Sequence, residues 1–242
     1  VSYFQLSRSA RYSILFAVPL LLLYEGLAFV IGGGATSGVR NGADVILKSV
    51  FLSFGGHNGL LIFNIALLAV GGTLVWRDRH TGGPLRPAYF AVMFGESVGL
   101  ALVFGAVAGI LTSILLRGPS ALAVGGLSQF GFGTQLMLSL GAGIYEELLF
   151  RVILVSALLF ISRRVLGWLP GASNVAAVVL SALIFSAFHY IGRYGDDWQL
   201  ASFTFRLVAG LLFSALYVVR GFGITAWTHA LYDIFLSVMG VG

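Results

Sequence analysis

The chain contains no cysteine. Disulfides, a cysteine nucleophile and thiolate metal sites are therefore excluded. Charge is scarce too: 10% of the residues are charged, against ~25% in a soluble domain. Hydrophobic residues make up 58% and the mean hydropathy is +0.97, which reads as an integral membrane protein in a lipid bilayer. Lysine is nearly missing, since Lys48 is the single lysine among 14 basic residues. Arginine together with much Ala, Gly, Leu and Val fits a GC-rich prokaryotic genome. The net charge of +5 carries no nucleic-acid signal, because the basic residues lie at helix ends and in short loops. There is no His-Glu-x-x-His zinc signature, no internal repeat and no soluble domain, so 1–242 reads as a single membrane domain.

Hydropathy predicts an all-α, polytopic transmembrane helix bundle of about seven spans: 11–31, 58–76, 87–116, 134–161, 174–191, 199–219 and 224–239. The first is too long for a signal-peptide core. The third needs tilt to fit a bilayer. A glycine-rich break covers 32–38, and a Gly/Ser-rich, partly re-entrant loop is expected over 117–133. Val39 to Phe54 mixes Arg40, Asp44 and Lys48 with Val45, Ile46, Val50 and Phe51, a pattern expected of an amphipathic helix lying at the interface. Eight basic residues fall in segments on the side of the N-terminus and four on the other. That bias places the N-terminus in the cytoplasm, in a prokaryotic inner (plasma) membrane.

Against this apolar background stands Glu146-Glu147-Leu148-Leu149-Phe150-Arg151. Ionisable groups at bilayer depth cost ~3 kcal/mol or more each and are functional candidates by default. Glu147 and Arg151 are four apart, so they share a helix face in the favourable order and neutralise each other. Glu146 lies about 100° round the helix and has no partner in its own segment. That suits a general base facing a small wet cavity. The plainer reading is a charge cluster that glues helices together.

Two further polar pairs are also four apart: Phe185 with His189, and His229 with Asp233. A lone membrane histidine is usually a packing residue. Two histidines with Asp233 and the acidic pair, on three helices, can build one polar pocket between them. Glu146-Glu147-x-x-x-Arg151, Phe185-x-x-x-His189 and His229-x-x-x-Asp233, in this order over about 134–239, resemble the CPBP family of intramembrane proteases. That family includes the type 2 CAAX prenyl proteases and the bacterial Abi-like proteins.

The resemblance implies peptide-bond hydrolysis within the membrane, on a membrane-anchored or lipidated protein or peptide. It implies that Glu146 activates water with His189, and that His229 with Asp233 positions water or stabilises the oxyanion. Glu147, Arg151 and Phe185 are then structural support. The family has Asn or Asp at the position of Asp233, and an Asp donates a hydrogen bond only when protonated. No cofactor is favoured; if the reaction depends on metal, Glu146, His189, His229 and Asp233 are the expected zinc ligands. Two other classes stay open: a proton-linked transporter, since membrane acids and histidines also make relays, and a non-catalytic scaffold or immunity protein on the same fold.

Three smaller expectations follow. Gly95-Glu96-Ser97-Val98-Gly99 matches a nucleophile elbow in letters only, because it lies mid-helix. Gly95 with Gly99, and Gly105 with Gly109, read as small-xxx-small packing faces. Glu25, Glu96 and Arg206 are buried charges without a motif, and Arg206 should pair with an acid. One tension remains. Simple alternation puts His189 and His229 near opposite ends of their spans, ~15 Å apart in depth. The site closes only if helices tilt or if the turn 220–223 is buried in protein.

Overall fold

The computed structural model describes residues 2–32, 38–79, 83–117, 130–192 and 195–239. Among them every regular element is helical, in the order α1 (Tyr3–Ser7), α2 (Ala10–Gly32), α3 (Gly42–Gly55), α4 (Gly59–Asp78), α5 (Pro87–Leu116) and α6 (Phe132–Gly141). Then α6 runs without a break into a wide π-helical segment, π1 (Ala142–Leu154), and on through α7 (Val155–Phe160) into π2 (Ile161–Val165). The series ends with α8 (Pro170–Phe188), α9 (Leu200–Arg220) and α10 (Phe222–Val238). The break expected at 32–38 and the loop expected at 117–133 fall largely on residues outside those described.

Local chemistry explains most of the boundaries. Proline opens α5 and α8 at the first helical position, where its missing N–H costs nothing. Asn41 caps α3, its side-chain oxygen accepting from the Ala43 N–H at 2.9 Å. Ser2 and Gln5 form a reciprocal capping box at α1. α9 turns into α10 through Gly221 alone, at φ +79°, a conformation that glycine reaches without a Cβ penalty.

Five helical stretches are long and apolar enough to cross a membrane: Ala10–Gly32, Gly42–Asp78, Pro87–Leu116, Pro170–Phe188 and Leu200–Arg220. The other two expected spans are helical as well, but α6–π1–α7 carries the acidic pair and α10 has only 17 residues. The outer surface is apolar, with Leu22, Phe29, Leu102, Ile110, Val218 and Val219 exposed. The interior is built from small residues, aromatics and hydroxyls. Ser97, Thr112 and Ser214 each donate to the carbonyl four residues back, so their hydroxyls are satisfied within their own helices.

α10 is the helix around which the others assemble, packing against α2, α5, α6, π1 and α9. Its Ile224, Ala226 and Ala230 are fully buried. The turn before it is covered in part: Arg220, Gly223 and Ile224 are buried while Gly221 and Phe222 are half-buried, and a Cβ on Gly223 would lie 2.6 Å from the Ser13 carbonyl oxygen. Backbone of this kind is tolerated where protein covers it.

Two expectations about faces change. α3 is amphipathic in the reverse sense: Asp44 and Lys48 point inward and are buried, while Val45, Ile46, Val50 and Phe54 are exposed. The cause is a set of partners waiting inside, described below. Gly95 and Gly99 face open space, so they are not a packing face. Gly105 is one, with the Tyr232 ring filling the place of a Cβ. Ser97 lies mid-helix, donating to Met93 O, and no nucleophile elbow exists there.

Candidate active site

π1 carries the acidic pair. In a π segment the N–H bonds to the fifth carbonyl back, as at the end of π1, where the Val155 N–H meets Phe150 O. Such widened turns recur at functional sites. They let Glu146 and Glu147 face different neighbours over one turn. α10 then comes very close to π1: a Cβ on Gly143 would be 2.4 Å from Ala226 O and 2.7 Å from the Ala230 methyl. Only glycine allows that approach, and it brings His229 onto Glu147.

One group of side chains is dry. Glu147 has no exposed side-chain surface and Arg151 has 1%. They pair at 3.3 Å through Arg151 Nε and Glu147 Oε2. The other Glu147 oxygen lies 2.7 Å from His229 Nδ1. A carboxylate there accepts, so His229 presents Nδ1–H to Glu147 and turns Nε2 towards Asp233, 3.6 Å away. Aromatic rings close this group: Phe213 stacks on His229 at 4.2 Å, and Phe185 offers its face to Arg151 at 4.4 Å. Arg151 also reaches Gly210 O at 3.5 Å.

The second group is wetter. Glu146 Oε1 accepts from Asn41 Nδ2 at 2.8 Å. Glu146 Oε2 has no hydrogen-bond partner in the protein and stands 4.0 Å from His189 Nε2. His189 Nδ1 is 2.9 Å from Phe185 O. That carbonyl can only accept, so Nδ1 carries the hydrogen and a neutral His189 keeps its lone pair on Nε2. The His189 side chain is 26% exposed and Asp233 16%, so these residues are accessible from outside while Glu147 is not.

The two groups hold all seven residues singled out in the sequence. Residues 128–235 match the family model of type II CAAX prenyl endopeptidases, described as Rce1-like. This stretch belongs to the CPBP family of CAAX-type intramembrane proteases. Comparisons with curated proteins and with solved structures find no match. The CPBP stretch spans all three motifs, and the family is one of proteases. Together with the five apolar helical stretches it makes the chain an integral membrane protein.

The remaining charges within the helices find partners away from the CPBP motifs. Arg206 pairs with Asp196 and donates to Ser202 Oγ at 2.9 Å, so its acid is not Asp233. Glu96 takes Arg220 Nη2 at 2.8 Å and the Tyr3 hydroxyl at 2.7 Å. Glu25 takes Lys48 at 2.7 Å and Arg40 at 3.2 Å. Among the described residues, no group of three or more His, Asp or Glu side chains is arranged to hold one metal ion. Sequence reasoning missed Asn41, Gly143 and Phe213 at the site, and the link from Glu147 to His229. Each of these contacts joins separate helices, and no spacing rule signals them.

Proposed function

We propose that the chain is an intramembrane endopeptidase that hydrolyses a peptide bond of a membrane-anchored or lipidated substrate with water activated by Glu146. The observation that carries this reading is the state of the Glu146 carboxylate. One oxygen is held by Asn41, while the other is free and faces His189 across 4.0 Å. That gap is too long for a hydrogen bond and suits a water that donates to both groups. With both its protons engaged, the water turns a lone pair towards a carbonyl carbon. Glu146 takes one proton as the new bond forms and passes it to the departing amine.

His229 and Asp233 stand one helical turn apart beside these groups; with hydrogens on both His229 ring nitrogens and a protonated Asp233 they supply the oxyanion's hydrogen-bond donors. Glu147 holds His229 by Nδ1, fixing which nitrogen faces the pocket, and Arg151 balances the charge of Glu147. Phe185 supports both histidines with its ring, 4.9 Å from that of His189 and 6.2 Å from that of His229. In this reading hydrolysis needs no metal. The N-terminus is cytoplasmic, in a prokaryotic inner membrane.

The test is reconstitution into liposomes with a lipidated reporter peptide, products being read by mass spectrometry. Wild-type protein yields two fragments from one cut. Absence of fragments, with Glu146-dependent proton movement across the same liposomes, replaces the protease reading with the transporter.

A further inference from the structure

Asn41 lies 105 residues before Glu146 and outside the CPBP stretch, yet it touches the carboxylate that the mechanism depends on. Its orientation is fixed by chemistry. The Ala43 N–H needs an acceptor, and Asn41 Oδ1 supplies it at 2.9 Å. The amide nitrogen must then face Glu146, where it can only donate. Glu146 Oε1 is consequently an acceptor, and a proton on this carboxyl would have to sit on Oε2.

Asn41 is itself held firmly. It is buried. Its N–H reaches the Tyr24 hydroxyl at 3.3 Å, which donates to Asp44 at 2.7 Å. Asp44 and Glu25 are each bridged by both Arg40 and Lys48, and the Tyr145 hydroxyl donates to Glu25 at 2.7 Å. Tyr145 immediately precedes Glu146, so this network ties α2 and α3 to π1 at the acidic pair. From the α6 side, a Cβ on Gly141 would lie 2.8 Å from Asn41 Cβ, so α6 approaches this residue closely.

We propose that Asn41 is a positioning residue that keeps Glu146 Oε1 as an acceptor and leaves Oε2 as the oxygen that works on water. The role rests on the hydrolytic reading above. The other charged groups bearing on Glu146 are Glu147 and Arg151 in π1, His189 after α8, and His229 and Asp233 on α10. From α2 and the α3 side come Glu25, Arg40, Asp44 and Lys48, which pair among themselves. α6 and α7 contribute no charged side chain.

Two substitutions separate positioning from structure, because Asp and Ser both cap helices. Asn41→Asp keeps the cap but sets a second carboxylate against Glu146, so the pair must share a proton. Asn41→Ser keeps the cap and is too short to reach Glu146. Labelling of Glu146 by dicyclohexylcarbodiimide, which reacts with protonated buried carboxyls, is followed against pH by mass spectrometry in detergent-solubilised full-length protein. Asn41→Asp should move this labelling to higher pH by about one unit or more. With a lipidated reporter peptide, Asn41→Ser should lower kcat by about tenfold or more with little change in KM, and the acidic limb of the Asn41→Asp pH–rate profile should move upward. Unshifted labelling, or unchanged kcat in Asn41→Ser, overturns the proposal. A labelling shift in a protein that cuts no peptide leaves Asn41 as assigned and removes the protease reading instead.

Discussion

Glu147→Gln removes one negative charge from the driest part of the molecule. Arg151, with 1% of its side chain exposed, then keeps the Gly210 carbonyl at 3.5 Å, the faces of Phe185 and Phe213 at 4.4 and 5.6 Å, and the more distant charge of Glu146. Stranding one partner of a buried ion pair costs about 3–5 kcal/mol. The ring faces offset roughly 1 kcal/mol of this. The net loss is about 2–4 kcal/mol, or a melting temperature lower by roughly 5–15 °C for a chain of this size. Thermal unfolding in one detergent, with folded yield alongside, reads it directly. Glu147→Gln with Arg151→Met should recover most of that stability, since a buried pair replaced by apolar side chains is near neutral. Activity should stay low in the double variant, because His229 has lost its charged partner. If Glu147→Gln leaves yield and melting unchanged while Glu146→Gln lowers both, the division of labour within the acidic pair is reversed.

Asp233→Asn supplies a permanent donor of similar shape. Activity should survive with its alkaline limb at higher pH; loss at every pH with normal stability would refute the donor role and favour an ionised partner of His229 or a metal ligand. Elemental analysis of active, purified protein should show no stoichiometric zinc, and zinc that leaves together with activity on chelation would contradict metal-free hydrolysis.

What could be read from the sequence was what lies within one helix. The Glu147–Arg151 pair and the approach of His229 to Asp233 are contacts between residues four apart, and both are present. Helix positions followed from long apolar runs for the same local reason. The inward turn of Asp44 and Lys48 was hidden because it depends on Glu25 and Tyr145, which come from other segments. The π segment was hidden because its side-chain pattern over thirteen residues does not differ enough from that of an α-helix. The reach of Asn41 to Glu146 and of Glu147 to His229 depends on how closely α3 and α10 approach π1, which glycines at 141 and 143 permit. A sequence shows such glycines without showing what they admit.

The account turns on Glu146 as the base that activates water. Its most direct test is kcat/KM of Glu146→Gln on a lipidated reporter peptide in liposomes, with melting temperature measured on the same preparation. The predicted result is a loss on the order of a hundredfold or more at near-normal stability, since the amide can still accept from Asn41. Activity within a few fold of wild type would contradict it.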